Sequence, residues 1–207
     1  MSPIPVNLAV EDELSETVLR TVIKFVDREY HIGTTYGRNG FGYLRKTVRG
    51  WNSAARGTPF VLLTDLDKNT CPPTLIQEWL GIPQHPNLIF RVAVREVEAW
   101  LLADSHNFAS FLTVRQEIMP LDCDNLADPK EQLIRVARQA RSRDIRNRIV
   151  PAPRSTAKQG PDYNGCLGAF VQDHWDISIA SAASPSLRRA LRKLRTFEPT
   201  WPDVPIE

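Results

Sequence analysis

Phe60-Val61-Leu62-Leu63-Thr64-Asp65-Leu66-Asp67 is an apolar run that ends in two carboxylates one residue apart. Bounded by Pro59 and the Lys68-Asn69 turn, it reads as a strand buried on both faces. On an extended backbone, residues i and i+2 project to the same side, so this spacing directs Asp65 and Asp67 toward one point. Ligands of open α/β sheets bind outside the carboxyl ends of the strands, where this pair falls. Two anions held together repel unless a proton or a cation lies between them. A divalent metal is the natural partner.

Working outward, residues 6–10 predict a short strand stopped by Glu11-Asp12-Glu13. Leu14, Val18, Val22 and Val26 then recur at helical spacing. Glu11 is thereby set at a strand's carboxyl end, while Glu13 and Glu16 suit the first turn of the helix and its dipole. Residues 30–36 predict a second strand, and Gly37, Gly40 and Gly42 a mobile loop before a helix over 43–55. No Gly-Lys-Ser/Thr ending follows these glycines, so they make a weak phosphate cradle. After Asp67, Cys71-Pro72-Pro73 opens a helix that closes near Gly81. Residues 87–94 give another apolar strand, leading into Arg95-Glu96-Val97-Glu98-Ala99-Trp100-Leu101-Leu102-Ala103-Asp104. If this segment is helical, Val97, Trp100 and Leu101 form its core face, with Glu96 and Glu98 flanking that face on opposite sides. Strands alternating with helices imply an α/β fold with a mainly parallel sheet.

Beyond residue 104 the pattern loosens into a helical, basic extension over 105–207, packed on a core over 4–104. Residues 129–149 read as one Arg-rich helix, 151–161 as an exposed loop, and Pro185–Arg195 as a helix striped with leucine and arginine. Residues 1–129 hold 12 Lys and Arg against 16 Asp and Glu, whereas 130–195 hold 14 against 5. An acidic front with a basic back fits a metal centre beside a polyanion-binding surface, and solvated arginine-rich helix faces fit the same charges. Arg135, Arg138, Arg141, Arg146, Lys158, Arg188 and Arg192 are the candidate contacts to a nucleic-acid backbone or an acidic partner.

Composition excludes several classes. No stretch has the apolar length of a membrane span, and the first residues do not read as a signal peptide. Cys71, Cys123 and Cys166 are odd in number and far apart, which argues against a disulfide framework or zinc knuckle and for a reducing cytoplasm. The acidic set contains no His or Cys, and such hard oxygen donors suit Mg²⁺ or Mn²⁺. The donors expected are Glu11, Asp65 and Asp67 on one ion, with Glu96 or Glu98 on the same ion or a second; in a one-metal scheme Glu11 is instead the acid/base. Lys68 and Arg95, next to these acids, can offset charge on a phosphate.

In that order, Val10-Glu11, Asp65-Leu66-Asp67 and the 95–104 segment resemble the Toprim arrangement, in which a strand-end glutamate and an Asp-x-Asp pair bind Mg²⁺. The third piece is similar to a bacterial Toprim-like family of unknown function, akin to the overcoming-lysogenisation-defect nucleases. Members often occur beside ABC-type ATPases in phage-defence operons. Lys158-Gln159-Gly160-Pro161-Asp162-Tyr163 and Pro185-Ser186-Leu187-Arg188-Arg189-Ala190-Leu191 resemble that family's tail. The resemblance implies a metal-dependent nuclease cleaving DNA or RNA as the effector of an ATPase-associated system. The second reading is a non-catalytic Toprim-like subunit that docks the ATPase or nucleic acid. One departure stands out: Asp12 occupies the position where Toprim proteins usually place glycine. That residue either supplements the metal shell or marks an altered site.

Overall fold

A computed structural model describes residues 2–201. Within them the chain runs β1 (Ile4–Val10), α1 (Glu13–Phe25), β2 (Tyr30–Gly37), α2 (Gly40–Ala54), β3 (Phe60–Asp65), α3 (Pro72–Leu80) and β4 (Leu88–Ala93). Seven helices follow: α4 (Val97–Leu102), α5 (Ser105–Leu112), α6 (Pro129–Ala137), α7 (Arg143–Ile149), α8 (Tyr163–Asp173), α9 (Ile177–Ala183) and α10 (Pro185–Arg195). The strands form one wholly parallel sheet in the order β2-β1-β3-β4. The fold is α/β, with helices on both faces of the sheet. None of the described helices is long and apolar enough to cross a membrane.

Side-chain alternation decides which helices cover which face. Val6, Leu8 and Val10 of β1, Val61 and Leu63 of β3, and Ile89 and Ala93 of β4 join one apolar cluster with α1, α4 and the later helices. Ala9, Phe60, Leu62, Phe90 and Val92 face the other way, onto Leu44, Val48 and Trp51 of α2 and Leu75 and Trp79 of α3. Residue 65 shares the parity of 61 and 63, so the last side chain of β3 is directed at the layer that holds α1 and α4. Burying each such Leu, Val or Phe contributes ~1.5–3 kcal/mol, which makes the two clusters the main stabilising term. The larger one runs without a break from β1 and α1 into Phe108, Leu133, Tyr163, Phe170, Leu187 and Leu194.

Three expectations need correction. The glycines do not form a separate loop: Gly37 closes β2, and Gly40 and Gly42 lie in the first turn of α2. Gly37 serves close approach, because its φ is +112° and a Cβ there would lie 1.9 Å from the carbonyl oxygen of Val10. The single helix expected over 129–149 is two, α6 and α7. Ser142 starts the second by accepting a hydrogen bond from the Ile145 amide. Finally, α8 and α9 fill a region read as loosely organised, with α8 lying against α1.

Candidate metal centre

Four carboxylates gather at the carboxyl ends of β1, β3 and β4, and each spends one oxygen on a neighbouring element. Glu11 Oε1 accepts from the Thr64 hydroxyl and, at 3.0 Å, from the Asp65 amide, tying the end of β1 to β3. Asp65 Oδ1 accepts from the Val97 amide at 3.0 Å and so satisfies the first turn of α4, whose cap residue Glu96 makes no such bond itself. Glu96 Oε2 does the same service for α6, accepting from the Lys130 amide at 2.8 Å. Buried Glu98 takes the Tyr163 hydroxyl at 2.9 Å on Oε1, with Lys130 Nζ 3.5 Å away. The second oxygens of Glu11, Asp65 and Glu96 accept no hydrogen bond from other described residues.

These acids perturb one another. Asp65 is held well above the usual aspartate range, first by burial and then by the charges of Glu98, Glu11 and Glu96. Glu11 is raised by burial despite its bonds to Thr64 and Asp65. Glu96 is pushed up to about 7 by burial and by Glu98. Burial also raises Glu98, against the pull of Lys130 and the Tyr163 hydrogen bond. Burial draws the Lys130 ammonium down, yet Glu98, Asp12, Glu96 and Asp65 together lift it above the ordinary lysine value. Lys130 is thus the cation the acids share, with Nζ 5.1 Å from the centre of the Tyr163 ring.

Asp67 approaches the cluster from a turn, not from the extended strand that its spacing predicts. β3 ends at Asp65, and Asp67 has a left-handed φ of +48° on an exposed turn, so the same-side rule for extended backbone no longer applies. The cause lies beyond the end of β4: the amides of Leu66 and Asp67 both turn to the Arg95 carbonyl, at 2.8 and 3.0 Å. Although the residue is exposed, partial burial of its carboxyl raises its pKa, opposed by Lys130 and Lys68. Its charge still acts on Glu11. Arg95 Nη1 donates to the carbonyls of Asp67 and Asn69 at 2.9 and 3.2 Å, so part of its guanidinium secures this turn. Asp12 has a structural task that glycine cannot perform: it caps α1, accepting from the Ser15 amide at 2.8 Å.

Between the two candidate glutamates, Glu98 faces the cluster from within, and Glu96 lines its outer rim. Glu96 and Asp128 border both a cavity of about 420 Å³ with Asp67, Lys68 and Arg95 and one of about 490 Å³ with Lys130, Arg135, Arg138 and Lys158. Arg138 and Lys158 continue into a groove of about 750 Å³ that also holds Arg146 and Arg154. Arg135 bonds Gln132, and Arg146 Nη1 donates to the Ala140 carbonyl at 2.9 Å. Arg141 is exposed but lines none of these three cavities, and Arg188 and Arg192 belong to α10. Lys130, Tyr163 and Thr64 are the residues that sequence reasoning missed. Lys130 carried a signal in its place in the basic stretch, and Thr64 and Tyr163 in lying within the 60–67 and 158–163 segments.

No family model, curated protein or solved structure matches the chain. The functional reading rests on the site. Among the described residues no three His, Cys, Asp or Glu side chains are arranged to hold a metal ion. The chemistry of the donor set nevertheless fits Mg²⁺ or Mn²⁺. It consists of carboxylate oxygens only, several carry a free second oxygen, and burial above all, with repulsion from neighbouring acids behind it, raises their pKa values.

Proposed function

We propose that this chain is a Mg²⁺- or Mn²⁺-dependent phosphodiesterase of the Toprim type, acting on DNA or RNA. The observation that carries this reading is the continuity of the acidic edge with a cationic groove. Cavities containing Asp67 and Glu96 pass, through shared walls, into the groove lined by Arg138, Arg146, Arg154 and Lys158. Acids that gather a hard cation and cations that follow a phosphate backbone are the two parts a nuclease needs side by side.

Glu11, Asp65 and Glu98 would hold the ion, with Glu96 at the rim and Asp67 entering from its turn. When bound, the metal would polarise the scissile phosphoryl group and favour attack by water. The chain's own groups bind and orient. Arg138 and Lys158 would draw the backbone along the groove, Lys68 and the free edge of Arg95 would face the phosphate beside Asp67, and Thr64 and Tyr163 would keep Glu11 and Glu98 in place. Glu96, at about 7, exchanges a proton in the neutral range at the rim of the groove, which suits a group that passes protons to or from solvent. The role of effector beside an ABC-type ATPase follows from the Toprim-like resemblance.

The test compares the purified protein with an Asp65→Ala/Asp67→Ala variant on plasmid, single-stranded DNA and RNA, each with Mg²⁺, Mn²⁺ or EDTA. Cleavage should require metal and vanish in the variant. Lys130 amid the acids favours a second reading, a docking subunit without catalysis. Unaltered biological effect with both aspartates neutralised would establish that reading instead.

A further inference from the structure

Helix α10 carries five cations and no acid, in the order Pro-Ser-Leu-Arg-Arg-Ala-Leu-Arg-Lys-Leu-Arg. Its leucines turn inward, and it packs along β4, the outer strand of the sheet. Three of the cations have partners. Arg188 donates to the carbonyls of Ser181 and Ala182 at 3.3 and 3.2 Å. Lys193 and Arg195 each lie 5.7 Å from a phenylalanine ring centre, those of Phe197 and Phe25. Arg189 and Arg192, one helical turn apart and exposed, make no ion pair among the described residues.

Arg91 lies on the strand that α10 covers. It has the parity of Ile89 and Ala93, so its side chain leaves β4 on the face that α10 shares with α1. Its Nε is buried and without a hydrogen-bond partner among the described residues. Arg28 also has a buried, unpartnered Nε, but its Nη2 meets Glu198 at 2.8 Å. Arg91 meets no acid among the described residues. Burial first, and then the charges of Arg189 and Arg192, hold its pKa below the ordinary arginine value. Buried charge without a counter-charge is costly, and like charges brought to one place add to the cost. At a position flanked by Phe90 and Val92, an apolar side chain would avoid both penalties.

We propose that Arg91, Arg189 and Arg192 form a phosphoryl-anion site on the β4–α10 edge. Guanidinium forks match phosphate oxygens in pairs, and half-buried Arg91, whose Nε is buried under the helix, is pre-oriented because packing fixes its stem. Three guanidiniums exceed what one carboxylate can satisfy with two oxygens and a single charge, whereas a phosphoryl group offers more of both. The site shares no residue with the acidic cluster and does not depend on the metal reading. Two sources carry this chemistry: free phosphate or pyrophosphate, and the backbone of a nucleic acid.

The test measures the melting temperature of the whole chain in pyrophosphate against sodium chloride of equal ionic strength, for wild type, Arg91→Leu and Arg189→Gln/Arg192→Gln. Wild type should gain stability from pyrophosphate and both variants should not. In chloride alone, Arg91→Leu should melt higher than wild type, because it removes an uncompensated charge without opening a cavity. A lower melting temperature there, an equal pyrophosphate response in all three proteins, or no response in wild type would each overturn the site. Fluorescence anisotropy with a labelled single-stranded oligonucleotide in EDTA separates the sources. Affinity weakened about tenfold in the double variant assigns the site to backbone phosphate. Unchanged oligonucleotide affinity with a lost pyrophosphate response assigns it to free phosphate.

Discussion

Replacing Lys130 by methionine isolates the electrostatics of the acidic cluster, because the stem keeps its packing while the charge goes. Nζ lies 3.5 Å from Glu98 Oε1, and the two side chains are 33% and 3% exposed. At that separation the gross attraction is about 5 kcal/mol for an effective dielectric of roughly 20. One-third exposure of the ammonium screens part of this, while Glu98 left alone keeps its burial penalty. The net loss should be about 2–3 kcal/mol, corresponding to roughly 5–10 °C in melting temperature for a chain of this size. The loss must also depend on pH. Glu98 has a folded pKa above its ordinary value of 4.5, so its charge opposes folding at higher pH. That opposition begins as pH rises through the unfolded value and is complete above the folded one. Removing Lys130 raises the folded value further and enlarges the penalty.

Thermal unfolding of both proteins in EDTA, followed by circular dichroism between about pH 5 and pH 8, reads this directly. The gap should be widest at the alkaline end and close toward the acidic end as Glu98 takes up a proton. Mn²⁺ should restore more stability to Lys130→Met than it adds to wild type, since a second cation then has no ammonium to displace. A gap below about 1 kcal/mol, or one constant across the pH range, would refute the assignment of Lys130 as the cluster's counter-cation.

Other expectations follow from the same geometry. Asp65→Asn keeps an acceptor for the Val97 amide but removes a crowded charge. It should raise apo stability by about 1 kcal/mol at neutral pH while abolishing metal-dependent cleavage, read by melting and by a nuclease assay. Tyr163→Phe deprives buried Glu98 of its hydroxyl donor and should cost about 1–2 kcal/mol in denaturant unfolding. Wild type in EDTA should itself become more stable as pH falls, because the folded acids bind protons more readily than the unfolded ones. For Glu96, between its ordinary 4.5 and about 7, the gain is about 1–2 kcal/mol after allowance for exposure. Added Mn²⁺ should flatten that dependence. Gly37→Ala forces a Cβ to within 1.9 Å of the Val10 carbonyl at positive φ and should cost more than about 2 kcal/mol by chemical denaturation.

The parts of the fold that sequence exposes are those where one residue forces one geometry. Phe60 through Leu63 are apolar without a gap, which only a strand covered on both faces requires. Gly81 ends α3 in the left-handed conformation, and Pro185 with the leucine stripe delimits α10. The helix α8 escaped notice because Gly165 and Gly168 interrupt its propensity, and contacts with α1 override that weakness. Asp67 was misplaced for a related reason. The alternation rule assumes that the backbone stays extended, and the turn toward the Arg95 carbonyl depends on a segment 28 positions further along the chain.

The acidic residues were legible one at a time; their counter-charge was not. Tyr163 stands 65 positions from the glutamate it holds, and no local pattern joins them or reports that Lys130 will enter the same space. Burial nevertheless makes such a partner necessary. Glu11, Asp65, Glu96 and Glu98 all sit above their ordinary pKa values even with Lys130 present, because burial outweighs the pull of one ammonium. If the acids served only as helix caps, Asp65 would cap α4 equally well as asparagine, and Glu98, whose side chain bonds Tyr163 and Lys130, caps no other element. Packing alone would favour an apolar residue at Glu98, which lies between Val97 and Ala99 in a wholly buried helix. Retaining a carboxylate there costs stability that Lys130 and Tyr163 recover only in part. A cation of higher charge than lysine would recover it, and that is the physical reason for reading this cluster as a centre for a divalent ion.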